Sequence, residues 1–78
     1  MTRQDIEIAA IPKNSRESYN VGIRDFRGCW RIDLRIFAFN GVATVATPKG
    51  LAIKPEALRP IIDALEQAEQ AAKREGLI

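Results

Sequence analysis

The chain has 78 residues and a mass of 8.7 kDa, room for one small domain where typical domains run to about 100–150 residues, so a second catalytic domain is excluded. A single cysteine, Cys29, and no histidine exclude an intrachain disulfide and leave no set of thiolate or imidazole ligands for zinc, copper or haem; no metal or cofactor is expected. The net charge of +2 conceals a neutral start over residues 1–18, a basic middle over 19–54 (Arg24, Arg27, Arg31, Arg35, Lys49 and Lys54 against Asp25 and Asp33) and an acidic end from Pro55, an asymmetry that points to a polyanionic partner for the middle.

Ile6 to Ile11 alternates weakly and stops at Pro12, which predicts a short strand or extended arm over residues 1–12, followed by a polar loop from Lys13 to Ser18. Tyr19 to Phe26 carries Val21 and Ile23 in alternation and runs into Arg27-Gly28, a strand ending in a hairpin turn. The cleanest alternation follows: Trp30, Ile32, Leu34 and Ile36 fall on one face, and Arg31, Asp33, Arg35, Phe37 and Phe39 on the other. Asn40-Gly41 is the strongest short hairpin signal, because a type I′ turn wants positive φ at both central positions. Val42 to Ala46 is expected to pair back, Thr47-Pro48-Lys49-Gly50 to break that strand, and Leu51 to Ile53 to form a brief further one. The antiparallel strands thus occupy 13–54. Over 55–76, Leu58, Ile61, Ile62, Leu65, Ala68 and Ala72 make one apolar helical stripe. Pro55 suits the helix start, Pro60 predicts an irregular first turn or a regular helix beginning only near Pro60, and Gly76 suits the stop. Strands first and one helix last is an α+β arrangement, here a single domain over 1–78.

A chain this short buries only about 60% of the surface its unfolded form exposes, so association with a second copy is the remaining way to enlarge the core. Nothing approaches the roughly 20 apolar residues that span a bilayer, and no charged-then-apolar leader opens the chain. The sequence reads as a soluble intracellular protein without a membrane role, cytoplasmic or nucleoid-associated if bacterial.

Residue type combined with strand parity gives the functional signal. Arg24 and Phe26 share a face of their strand; Arg31, Arg35, Phe37 and Phe39 share a face of the next. If the two faces coincide, guanidinium groups interleave with aromatic rings. Single-stranded nucleic acid asks for that combination, cations following the phosphates and each unpaired base stacking for about 1–3 kcal/mol. The bland alternative makes Phe37 and Phe39 core residues and pairs Asp33 with Arg31 and Arg35 on a solvated face. Asp25 and Asp33 lie among arginines, which keep carboxylates ionised and argue against a general acid–base pair. Thr47-Pro48-Lys49-Gly50 lacks the glycine spacing of a phosphate loop, leaving Lys49 as a single phosphate contact. Cys29 between Arg27 and Arg31 is more simply an inert thiol than a nucleophile. No catalytic residues are assigned.

The runs Val21-Gly22-Ile23-Arg24-Asp25-Phe26-Arg27-Gly28, Arg31-Ile32-Asp33-Leu34-Arg35 and Lys49-Gly50-Leu51-Ala52-Ile53-Lys54-Pro55-Glu56, in that order before an amphipathic helix, resemble the positive-cofactor-four family of transcriptional coactivators. Lys13 to Glu17 resembles a segment common in its bacterial members, and the likeness covers roughly residues 13 to 70. It implies a four-stranded antiparallel sheet followed by one helix, a homodimer, and grooves for single-stranded DNA. It also implies DNA contacts at Arg24, Phe26, Arg27, Arg35 and Lys49. The chain departs from the pattern at Cys29, where many members are basic, and at Ala38-Phe39, where the eukaryotic form has a stacking tryptophan; Phe39 is the ring available in its place. The Asn40-Gly41 connection is tighter than the longer acidic loop of many relatives.

The combined expectation is a homodimeric, sequence-tolerant single-stranded-DNA-binding protein of the coactivator type, without catalytic activity, serving transcription or repair machinery. Arg24, Arg27, Arg35 and Lys49 are the phosphate contacts, Phe26 with Phe37 or Phe39 the stacking platform, and Arg31 and Lys13 secondary contacts. A melted duplex or RNA would offer the same polyanion. The alternative is a small adaptor dimer whose basic sheet meets RNA or an acidic protein, without selectivity for single-stranded DNA.

Overall fold

The computed structural model describes residues 5–78, so the first four residues of the expected arm over 1–12 lie outside it. Four strands, β1 (Ile6–Pro12), β2 (Glu17–Phe26), β3 (Cys29–Phe39) and β4 (Thr44–Ile53), form one antiparallel meander in the order β1-β2-β3-β4. A 3₁₀ turn, Pro55–Ala57, leads into helix α1 (Leu58–Arg74). The expected architecture of four antiparallel strands followed by one helix is therefore the observed one.

Register carries the side-chain pattern from strand to strand. Arg24 faces Arg31, Gly22 faces Asp33, Asn20 faces Arg35 and Ser18 faces Phe37; directly opposed residues share a face. The alternate positions put Val21 opposite Leu34, Ile23 opposite Ile32 and Tyr19 opposite Ile36, and β4 adds Leu51 and Ile53 to this apolar face. One face of the sheet is thus charged and aromatic, the other apolar.

Two local expectations are corrected. The Thr47-Pro48-Lys49-Gly50 segment does not end a strand but is a bulge within β4: pairing passes from Arg35 with Gly50 to Phe37 with Ala46, so three β4 residues stand against Ile36 alone. A proline is tolerated here because β4 is an edge strand and the bulge removes the need for its missing N–H. Thr47 repairs the ladder, its hydroxyl donating to the Ile36 carbonyl at 2.7 Å and accepting the Lys49 amide at 3.2 Å. The type I′ pattern, with positive φ at both central residues, belongs to Arg27 (φ 56°) and Gly28 (φ 85°) rather than to Asn40-Gly41, where Gly41 alone is positive. Asn40 instead accepts the amides of Val42 and Ala43 on its side-chain oxygen at 2.9 Å each, and Val42 stands outside the strand, 89% exposed.

The helix starts with the irregular turn that the two prolines predict. Pro60 lies within the first turn of α1, where its absent N–H would have had no intrahelical partner in any case. At the other end Gly76 takes φ 72° while its amide donates to Lys73 and that of Leu77 to Ala72, the paired bonds of a Schellman stop.

The apolar surfaces are not closed within the chain. No residue of α1 is buried, and Leu65 of its stripe is 59% exposed. Ile53 is the buried hydrophobic residue among the described ones, while Ile6, Ile8, Ile11, Tyr19, Val45 and Leu51 stay exposed. The accessible surface of 6170 Å² exceeds the roughly 4700 Å² usual for a folded monomer of this mass. The radius of gyration, 14.7 Å, likewise exceeds the roughly 11–12 Å of a compact chain of this length. Of the stripe, Leu65 and Ala68 are exposed and Leu58, Ile61, Ile62 and Ala72 only half-buried. No helix among the described residues is long and apolar enough to cross a membrane.

Gly50 is where the sheet is tightest. A Cβ built there meets the Leu34 carbonyl oxygen at 2.5 Å and Arg35 Cα at 2.7 Å, backbone atoms that cannot swing aside. Gly50→Ala is expected to destabilise the fold by about 2 kcal/mol, the cost of overpacking a tight site, read as a lowered urea midpoint with an unchanged denaturant slope.

Candidate nucleic-acid interface

The charged face is organised around Asp33. Its side chain has no exposed surface, although it sits on a sheet face that no other layer of this chain covers. Two arginines roof it. Arg35 donates from Nε to both carboxylate oxygens at 3.1 and 3.0 Å and from Nη2 to Oδ1 at 2.9 Å, while its Nη1 donates to the Thr47 carbonyl at 3.1 Å. Arg24 donates from Nε to the other side of the same carboxylate at 3.2 Å. Every buried polar side-chain atom among the described residues has a partner. Burial pushes the Asp33 carboxyl up, but hydrogen bonds and charge from Arg35, then Arg24, outweigh it and hold the group below its ordinary value; the same contact raises Arg35.

Arg24 reaches further. Its Nη1 and Nη2 donate to the two oxygens of Glu7 at 2.6 and 3.0 Å, with Asp5 at 3.7 Å. Its guanidinium lies 5.8 Å from the Phe37 ring centroid, within cation–π range. The Glu7 bond, with smaller contributions from Asp33, raises Arg24; the same bond lowers Glu7, against a smaller upward push from the Asp33 charge. Glycine at position 22 makes the route possible: a Cβ there would lie 3.1 Å from Arg24 Nη2 and 2.9 Å from the Ile6 carbonyl oxygen.

The expected coincidence of faces is what register produces for most of the candidate residues. Arg24, Phe26, Arg31, Arg35, Phe37 and Phe39 share the charged face. Arg27 projects from the turn at its end, held in the left-handed region while Asp25 accepts the Gly28 amide at 2.6 Å. Asp33 pairs with Arg24 and Arg35, not with Arg31 and Arg35; Arg31 donates to the Trp30 carbonyl at 3.0 Å instead. Among the described residues Arg27, Arg31 and Lys49 have no carboxylate partner. Phe26 and Phe39 are 41% and 42% exposed; Phe39 points to the side opposite Ala38, so its ring stands with Phe37.

Lys13 and Lys49 fall elsewhere. Lys13 Nζ lies 5.9 Å from the ring centroid of Tyr19 and 3.5 Å from Glu17, and Tyr19 belongs to the apolar face. Lys49 borders a shallow concavity of about 240 Å³ on that side, with Tyr19, Leu34, Ile36 and Leu51. Sequence reasoning did not single out Tyr19; the signal available was a lone tyrosine in phase with Val21 and Ile23, between two lysines that only the fold brings near it. Glu7 was also missed, since nothing local marks a β1 carboxylate as the partner of Arg24.

Two solved structures share this fold, both of BPSL1147, a PC4 homolog from Burkholderia pseudomallei K96243. The orthorhombic form is 26% identical over 88% of this chain and 95% of that one, and the tetragonal form 27% identical over 85% and 98%, each with a TM-score of 0.77. No family model and no curated protein matches the chain.

Two outcomes test the framework. Asp33→Asn removes the charge that both arginines face and is expected to cost about 3 kcal/mol in urea unfolding, as breaking a buried pair does. A depressed carboxyl contributes stability above its unfolded value, 3.8 for Asp33, and loses it as pH falls through the lower folded value; the loss of stability below pH 4 is expected to be shallower in Asp33→Asn. Arg27→Asn places a residue tolerant of positive φ in the hairpin and is expected to raise stability by about 0.5–1 kcal/mol.

Proposed function

We propose that this chain, similar to a bacterial PC4 homolog, is a homodimeric, sequence-tolerant single-stranded-DNA-binding protein of the coactivator type, with no catalytic activity of its own. The observation that carries the reading is the single sheet face that Arg24, Arg31 and Arg35 share with Phe26, Phe37 and Phe39. The half-exposed rings of Phe26 and Phe39 offer stacking surfaces that unpaired bases present and a duplex hides. Arg27 and Arg31, free of carboxylates, are the first phosphate contacts. Arg24 and Arg35 are pre-set by Asp33, which fixes their planes before any ligand arrives. Lys49 and Lys13, with Tyr19, extend the cationic surface around the sheet edge rather than across the same face. A melted duplex or RNA would present the same chemistry, and transcription or repair machinery is the context the family suggests.

The dimer is supported by the apolar sheet face and the incompletely covered helix stripe. Together they leave more surface exposed than a chain of this mass keeps when folded alone, and a second copy offers a matching apolar face of the same kind.

The test is fluorescence anisotropy of a labelled oligothymidylate against its duplex at two salt concentrations, with sedimentation giving the oligomeric state. A dimer that prefers the single strand is expected, with Phe26→Ala weakening binding about tenfold, within the range of one lost stacking contact. Arg31→Ala is expected to reduce the salt slope by about 0.7, one phosphate on a single strand. Equal weak binding to both forms would reject selective single-strand binding and leave an adaptor for an acidic protein or RNA.

A further inference from the structure

We propose that Glu7 is a built-in phosphate surrogate: its carboxylate fills the anion subsite of Arg24, and a nucleic-acid phosphate must displace it to enter. The inference deepens, and rests on, the reading of the arginine–phenylalanine face as a polyanion site.

The geometry is that of a bound anion. Both oxygens of Glu7 accept from the paired terminal nitrogens of one guanidinium, at 2.6 and 3.0 Å, the two-point fork by which arginine takes carboxylate or phosphate alike. With Nε given to Asp33, all three nitrogens of Arg24 are engaged, so Arg24 cannot receive a phosphate on its outer edge while Glu7 is there. The two acids differ in how firmly they are held. Asp33 is sealed, whereas the Glu7 side chain is 62% exposed. Asp33 is therefore the fixed anchor and Glu7 the exchangeable anion.

The backbone is arranged to bring Glu7 there. β1 pairs Ala10 with Asn20 and Ala9 with Val21, then shifts by one residue so that Glu7, not Ile8, faces Gly22. Without that bulge Ile8 would enter the charged face and Glu7 the apolar one, because a slip of one residue exchanges the faces of a strand. Gly22, opposite Asp33, leaves the slot through which the Arg24 guanidinium passes to β1. Phe37 supports the same guanidinium from its own place on the face. A chance surface ion pair would need neither the bulge nor the slot.

Exchange of one anion for another on Arg24 also predicts a particular salt response. In the wild type, the gain from a phosphate on Arg24 is offset by the loss of Glu7, and this arginine adds little to counterion release. With Glu7 neutral, it adds a full contact.

The experiment is a double-mutant cycle on oligothymidylate binding with wild type, Glu7→Gln, Arg24→Gln and the double variant, each followed across a salt series. Glu7→Gln is expected to tighten binding about three- to fivefold, the equivalent of one exposed ion pair, and to steepen the salt slope by about 0.7; in the Arg24→Gln background both effects disappear. A gain that persists without Arg24 would mean that Glu7 acts by general repulsion, and no gain at all would mean that it does not compete; either overturns the proposal. A second measurement needs neither Arg24→Gln to fold nor nucleic acid to bind: titration of wild type and Glu7→Gln with pyrophosphate, following the Arg24 Nε–H resonance. Tighter saturation of that signal in Glu7→Gln supports the surrogate even if no variant binds the oligonucleotide, in which case only the single-strand reading fails. An unchanged Arg24 signal in both proteins overturns the surrogate, even if the wild type binds oligonucleotide.

Discussion

A carboxylate with no exposed surface on an open sheet face is the constraint around which this protein is arranged. Asp33 is shielded from water by the arginines it binds, not by a second layer of structure. Replacing such a cluster with apolar residues is often neutral or stabilising, so its value lies less in net stability than in geometry. Two guanidinium groups that would otherwise sample many rotamers are fixed on the face by hydrogen bonds, Arg24 also to Glu7 and Arg35 also to the Thr47 carbonyl. The network also touches every strand: Glu7 from β1, Arg24 from β2, Asp33 and Arg35 from β3, and the Thr47 carbonyl from β4.

The irregularities of the sheet follow from that network. Both edge strands are bulged, β1 between Glu7 and Ala9 and β4 opposite Ile36, and each bulge delivers a group to an arginine: a carboxylate to Arg24, a carbonyl to Arg35. The close approaches at Gly22 and Gly50 lie opposite Asp33 and Arg35 respectively, where the arginines and the backbone need the room of a side chain. Bulges also blunt the exposed edges of a sheet against unwanted pairing, so the same two features serve the site and protect a chain with much apolar surface.

This division explains what the sequence disclosed. Alternation from Trp30 to Phe39 assigns both faces of β3 correctly because a half-buried strand must alternate, and the helix stripe and its glycine stop are equally local signals. The four-strand, one-helix order and the family likeness were legible from those signals and from the runs around Arg24, Asp33 and Lys49. The continuous β4 was not, since Pro48 and Gly50 look like breakers until Thr47 is seen to complete the ladder. Asn40-Gly41 carries the strongest turn propensity, yet the type I′ conformation falls at Arg27-Gly28, where the extended β2–β3 register leaves room for only two residues. The pairing of Arg24 with Glu7 spans most of two strands and depends on a one-residue slip, which no local pattern encodes. For the same reason Lys13 and Lys49, close to the basic face on paper, come to rest near Tyr19.

A single sheet cannot separate its two faces. Val21, Ile23, Ile32 and Leu34 alternate with Gly22, Arg24, Arg31 and Asp33 along the same backbone, so whatever fixes the apolar side fixes the spacing of the arginines on the other. Within one chain that apolar side is only partly covered, and the hydrophobic term that dominates folding is correspondingly incomplete. In the proposed dimer, closing the apolar surface would rigidify β2 and β3 and so complete the pre-setting of Arg24 and Arg35. Association and polyanion binding are then linked equilibria: a ligand that prefers the ordered face draws the chains together, and their association lowers the ordering cost the ligand meets. The Asp33 cluster is the element common to both, since it lies on the charged face yet depends on a backbone that the opposite face must hold.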